Sequence, residues 1–204
     1  MQAEEKAWEL LASLDPREVC GRALAGFDPS AGAYAVSVFG MPVAVAPARR
    51  TISGSGPDSD VILKKMGYFS RLSILHYLIG AQAQPLAGHL VKPADLKVGL
   101  LYFTGSHVLP LDALAVRYAR DAEGFLKQGL RFGGEPRAYG DAAVEIHPFP
   151  RLPVTLVLWC EDDEFSARAD LLFDATCERH VPADILWSVA MLSVKMMLQE
   201  PAGR

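Results

Sequence analysis

Glu161-Asp162-Asp163-Glu164 puts four carboxylates in consecutive positions, the densest charge in the chain. Carboxylate oxygens at that density suit a hard cation such as Ca²⁺ or Mg²⁺. The EF-hand spacing and its glycine are absent, and a solvated hairpin turn uses the same residue types. Asp174 and His180 flank a second short stretch. A carboxylate near an imidazole makes an acid–base pair; the two also suit a plain strand end and helix entry. Arg168 shares a polar face with Asp170 and Asp174, and exposed pairing there is worth about 0–1 kcal/mol. His147 lies on the polar side of its strand with Glu145, which makes it the best-placed ligand among the remaining histidines. The candidate ligand or metal residues are therefore Asp163, Glu164, Asp174, His180, His147 and Arg168. No catalytic residue, cofactor or metal is assigned.

Other chemistry finds no support in the spacing. The histidines show neither HxH nor HExxH, and His76 reads as a core-edge residue on a helix. Cys20, Cys160 and Cys177 are too few and too far apart for a zinc ribbon or a four-cysteine iron–sulfur cluster. Ser53-Gly54-Ser55-Gly56 matches no phosphate-binding loop and reads as flexible. There is no GxSxG elbow and no kinase set.

Twenty basic against 24 acidic residues give a formal net charge of −4, with no electrostatic footprint for nucleic acid. No run of about 18 uncharged apolar residues predicts a membrane span. The polar, acidic N-terminus lacks a signal-peptide pattern, and the cysteine usage is not that of a disulfide framework, so a reducing cytoplasm is expected.

The elements that must position these residues follow from period and punctuation. Ala3, Ala7, Leu10, Leu11 and Leu14 share one helical face. Asp15-Pro16-Arg17-Glu18 starts a second helix, expected to end at Gly26. Residues 33–46 alternate as two strands around Gly40, and Pro42 predicts an edge position for the second. A long helix is expected from Asp58 or Ser59 to about Gln82. Phe69 lies on its apolar stripe, Lys64, Lys65 and Arg71 face water, and Gly67 inside it marks a close approach. Short strands are expected near Leu90 and Leu101-Tyr102-Phe103. Pro110 opens one helix running to Gly129. Val144 and Ile146 lie on a half-buried strand, and Val154 to Trp159 form a central one covered on both faces. A further strand ends near Asp174. The final helix, Pro182 to Leu198, is apolar over most of its circumference and so is buried on several sides or forms a subunit contact. Helices early and strands late predict an α+β fold: one domain over residues 1–204, a mainly antiparallel sheet, N-terminal helices, and a C-terminal helix packed on it.

Phe149-Pro150-Arg151-Leu152-Pro153, Leu156 to Trp159, Asp163-Glu164-Phe165, Leu172-Phe173-Asp174, and His180 with Pro182 form a proline-framed strand, an acidic turn and a strand end. Over residues 149–182 this pattern resembles a domain family of unknown function found mainly in anaerobic bacteria and archaea. The resemblance carries no catalytic residues. It places Asp163, Glu164 and Asp174 on recurrent polar positions and implies an association with iron–sulfur or corrinoid segments. Since no four-cysteine segment exists here, such an association would run through a partner.

The expected function is a non-catalytic cytoplasmic accessory or ligand-binding protein, linked to anaerobic cofactor metabolism. Two alternatives stand beside it. One is an enzyme with an acid–base or metal site built from Asp163, Glu164, Asp174 and His180. The other is a subunit-interaction module, a homodimer or partner contact, using the final helix. A small-molecule ligand is expected; nucleic acid and membrane are not.

Overall fold

The structure, a computed structural model, describes residues 2–55, 57–97 and 108–200. Its described residues form seven helices and two antiparallel sheets, an α+β fold. Helices α1 (Gln2–Ser13) and α2 (Pro16–Ala23) come first. Asp15 caps α2 by accepting the Arg17 N–H at 2.8 Å, and Leu24 in the left-handed region ends it two residues before Gly26. On α1 the buried residues are Ala7, Trp8 and Leu11, while Leu10 is exposed. The indole of Trp8 thus takes a place that the aliphatic spacing gives to Leu10.

The first sheet holds β1 (Gly26–Asp28), β2 (Ala33–Val38), β3 (Met41–Ala46) and β4 (Thr51–Gly54), in that order. Phe39 and Gly40 both have positive φ, as the two-residue hairpin turn between β2 and β3 requires. Pro42 does not make β3 an edge: β3 lies between β2 and β4. The ladder tolerates it because β4 ends with Gly54 opposite Val43, so no strand faces Pro42 on that side. Ser53 and Gly54, expected at the start of a flexible loop, are the end of β4.

The expected long helix is broken. Short α3 (Pro57–Asp60) runs into a π-helical turn (Val61–Lys65), and α4 (Gly67–Gly80) starts afresh. The Ser70 hydroxyl donates to the Ile62 carbonyl at 2.6 Å across the break. Gly67 has positive φ and nothing near its absent Cβ, so it serves the restart rather than a close approach. Arg71 does not face water freely: its guanidinium pairs with Glu4 at 2.6 Å and ties α4 to α1.

The second sheet has the order β5-β9-β8-β7-β6. Its strands are β5 (Leu90–Val91), β6 (Glu135–Arg137), β7 (Ala142–Phe149), β8 (Leu152–Trp159) and β9 (Arg168–Asp174). The run at 154–159 is the central strand, as expected. Val154, Leu156 and Leu158 enter the main buried cluster shared with β7, β9 and the helices. The region after Pro110 forms two helices, α5 (Leu111–Arg117) and α6 (Ala122–Arg131). Asp121 caps α6 by accepting from the Gly124 N–H at 2.8 Å. The expected strand at 101–103 lies outside the described residues.

Helix α7 (Ala183–Met197) closes the fold against α4 and the sheet. It is buried nearly all round. The residues of this stretch left partly or fully open from Asp184 on are Asp184, Trp187, Met191, Lys195 and Leu198, one stripe at helical spacing.

Candidate functional site

The sequence-derived candidates fall in separate places. The acidic turn lies between β8 and β9. Asp162, not Asp163 or Glu164, organises it: its carboxylate accepts from the Glu164 N–H at 2.9 Å and the Phe165 N–H at 2.7 Å. Those two bonds hold the Asp162 carboxyl below its ordinary range. Glu161 pairs with Arg120 at 2.9 Å. Asp163 and Glu164 are exposed.

Asp174 lies at the other end of β9, about 20 Å away along a strand of that length. It is 4% exposed and His180 is 1% exposed. Residues 82–89 form a strap without regular structure, and buried polar groups pin it. Asp174 accepts from the Ala87 N–H at 3.1 Å, the Gly88 N–H at 2.9 Å, the Thr176 N–H at 2.9 Å and the Thr176 hydroxyl at 2.6 Å. Burial pushes its carboxyl up, but those four bonds outweigh it and hold the group below the ordinary carboxylate range. His180 Nδ1 accepts from the Gln82 N–H at 3.2 Å, so the neutral ring carries its proton on Nε2. The four acid–base candidates thus do not converge on one pocket. Among the described residues no group of three or more histidine, cysteine or acidic side chains is placed to hold a metal ion.

His147 and Arg168 occupy the outer face of the second sheet. His147 Nε2 stands 3.6 Å from Glu145, whose carboxylate takes a 2.7 Å bond from Arg137. Arg168 pairs with neither Asp170 nor Asp174; its guanidinium stacks 4.0 Å over the Trp159 ring across the β8–β9 ladder. Asp170 is instead 3.9 Å from Lys92.

Burial lowers the proton affinity of His180, the Arg151 charge adds to this, and Asp174 opposes it. A depressed folded pKa stabilises fully above the ordinary histidine value of about 6.5, where both states are neutral. Stability falls as the pH drops below that, because the unfolded chain takes up the proton first. Urea melts from pH 8 to 5 should therefore slope more steeply for the native chain than for His180→Asn, which keeps an acceptor at the Nδ1 position. Identical slopes contradict this.

One apolar concavity involves none of these residues. A groove of about 530 Å³ runs between the π-turn restart and the open stripe of α7. Met66, Tyr68 and Phe69 form one wall, Val108 and Pro110 one end, and Trp187, Met191 and Leu192 the other wall. Tyr68 and Phe69 are 45% and 47% exposed. Phe69 meets Trp187 edge-on, with ring centroids 5.7 Å apart, and Tyr68 meets Phe69 at 5.9 Å. Lys65 and Lys195 stand at the rim. Neither pairs with a carboxylate among the described residues; Lys65 reaches only the Gln199 side chain, at 3.4 Å. A smaller groove of about 260 Å³ continues along the same stripe past Asp184 and Ser188. Phe69 therefore lines an open surface and not the core stripe that its spacing predicts.

The groove is an apolar trough with aromatic walls and a cationic rim, and among the described residues its lining holds no metal-ligand set. The chain carrying it belongs to the family described as domain of unknown function DUF3786, whose family model matches residues 15–196. That match extends well beyond the 149–182 pattern. No curated protein and no solved structure matches the chain.

Proposed function

We propose that the chain is a ligand-binding accessory protein and that the groove between α4 and α7 is its site. The observation that carries this is the aromatic and thioether lining beside two lysines that have no carboxylate partner among the described residues. Large apolar side chains left open together in a concave surface favour a bound apolar body, and the lysines favour a negative charge on its edge. The ligand class is an aromatic or otherwise planar apolar molecule carrying an anionic group. Three free cysteines agree with a reducing cytoplasm. The resemblance to proteins of anaerobes directs the search toward cofactors of anaerobic metabolism, carboxylate-bearing corrinoid fragments among them. An iron–sulfur cluster would have to sit on a partner.

Anilinonaphthalene sulfonate, an aromatic anion, is a direct probe. It should bind the full chain with saturation at one equivalent. Neutralising the rim with Lys65→Gln and Lys195→Gln should weaken it about tenfold and flatten its salt dependence, as loss of two surface charge contacts implies. Unchanged affinity in the double variant would remove the lysines from the site.

A further inference from the structure

Helix α7 leaves one stripe open, and that stripe ends in opposite charges. Asp184 and Lys195 are both exposed, and about 16 Å of helix separates them. Asp184 lines the smaller groove and Lys195 the larger, and the two grooves share Tyr68, Phe69 and Trp187. Neither charge forms an ion pair among the described residues. Ser188, Met191 and the Phe69–Trp187 ring contact lie between them. The face is thus apolar in its middle, acidic at one end and basic at the other. Burial lowers the proton affinity of His76, on which the Asp184 charge acts, so at pH 7.5 that ring is neutral and does not offset the acid.

A face with that layout is complementary to itself. In a closed two-fold pair each residue meets a residue of the same patch, reciprocally. Antiparallel α7 helices, with the axis passing between Val189 and Ala190, put Asp184 against the partner's Lys195 at both ends. The same register sets the small Ser188 against the partner's Met191. A parallel pairing would instead set each charge against its own kind, which disfavours it. Tyr68 and Phe69, nearly half exposed, border the stripe and are covered in the same contact.

We propose that a second copy of this chain packs on the open stripe of α7, antiparallel about that axis, when the groove is empty, and that ligand and second copy exclude one another. Both cover the same apolar wall, and both draw on Lys195. The exclusion rests on the ligand reading above; the dimer rests on the layout of the stripe alone. One helix stripe with two flanking aromatic side chains buries roughly 1,000 Å² in all, the low end for a specific interface, so the dimer is weak and a ligand can displace it.

The test is sedimentation velocity of the full chain at pH 7.5 and low salt, from about 1 to about 200 µM. A monomer–dimer equilibrium with a Kd of about 10–100 µM is expected. Asp184→Lys and Lys195→Asp should each weaken self-association about tenfold or more, since each turns two opposite-charge contacts into like-charge ones. An equimolar mixture of the two variants should associate again, because opposite charges then meet at both ends. A folding defect in either variant would not give that recovery. Saturating anilinonaphthalene sulfonate should return the native chain to monomer. Monomer at every concentration would overturn the proposal and leave the face to the ligand or to another protein, without touching the dye titration above. A dimer that persists in both single variants would place the contact elsewhere and overturn it equally. A dimer broken by the reversals and restored in the mixture, yet indifferent to saturating dye, would support the dimer and contradict a ligand in the groove.

Discussion

Asp174→Ala should lose about 2–4 kcal/mol of folding stability and free the 82–89 strap. The carboxylate is nearly buried and accepts four hydrogen bonds, three from backbone N–H groups and one from the Thr176 hydroxyl. Removing it strands those donors, at roughly 1–3 kcal/mol for each that stays out of water. Ala87 and Gly88 are on the surface, so water replaces part of the loss there; Thr176 is only half open. The total is a large fraction of an ordinary domain's 5–15 kcal/mol or so. Asp174→Asn should lose less, since its amide oxygen still accepts. The pH dependence has a fixed sign. The folded pKa is depressed, so the contribution is complete above an ordinary aspartate value of about 4 and is lost as the pH falls through the lower folded value. Hydrogen exchange at Ala87 and Gly88 should quicken in Asp174→Ala before global unfolding. Protection equal to that of the native chain would contradict the pinning role.

What the sequence shows of this fold depends on whether a signal is local. The run Val154 to Trp159 reads as a central strand because only a strand covered on both faces stays apolar at every position. Asp15 and Pro16 mark a helix start because capping acts over three residues. Most of the failures are tertiary. Pro42 signals an edge, yet β3 is flanked on both sides because β4 is short enough to stop before reaching the proline. The helical pattern from Asp58 onward does not reveal a π turn, since the one-residue slip of a π turn leaves the apolar run Val61 to Leu63 in place. Asp121 is a capping residue that divides the helix after Pro110, a local signal obscured by the apolar positions on either side.

The candidate site shows the same limit. Asp174 and His180 stand out in the sequence, but their partners in the strap are backbone N–H groups 86 to 98 residues away, so no spacing rule discloses the strap. The acidic turn is conspicuous in sequence and ordinary in space. The groove is the reverse. An all-apolar final helix does not say which stripe will stay open, and only packing against α4 leaves Trp187, Met191 and Lys195 uncovered. The available sequence signal was the four-residue spacing of those three residues, together with the Tyr68-Phe69 pair placed directly after a glycine.

Loss of the aromatic wall should have the larger effect on function. Removing Phe69 and Trp187 together deletes the edge-on ring contact and much of the apolar area that a planar ligand would cover. At about 25 cal/mol per Å², losing some 100 Å² of contact costs about 2.5 kcal/mol, or between tenfold and a hundredfold in affinity. Phe69→Ala alone is the cleaner change, because Phe69 is half exposed whereas Trp187 also packs on the core. It should weaken binding several-fold while leaving the unfolding midpoint almost unmoved.

The methionine methyl groups give the most direct reading of where a ligand sits. Met66 and Met191 line the groove, Met196 and Met197 are fully buried in the core, and Met41 belongs to β3 in the first sheet. With methyl-¹³C methionine in the full chain, anilinonaphthalene sulfonate should shift the Met66 and Met191 signals in step, to saturation, and leave Met41, Met196 and Met197 in place. Shifts at Met41 with none at Met66 and Met191, or no saturable shift at any of the five, would contradict a ligand site between α4 and α7.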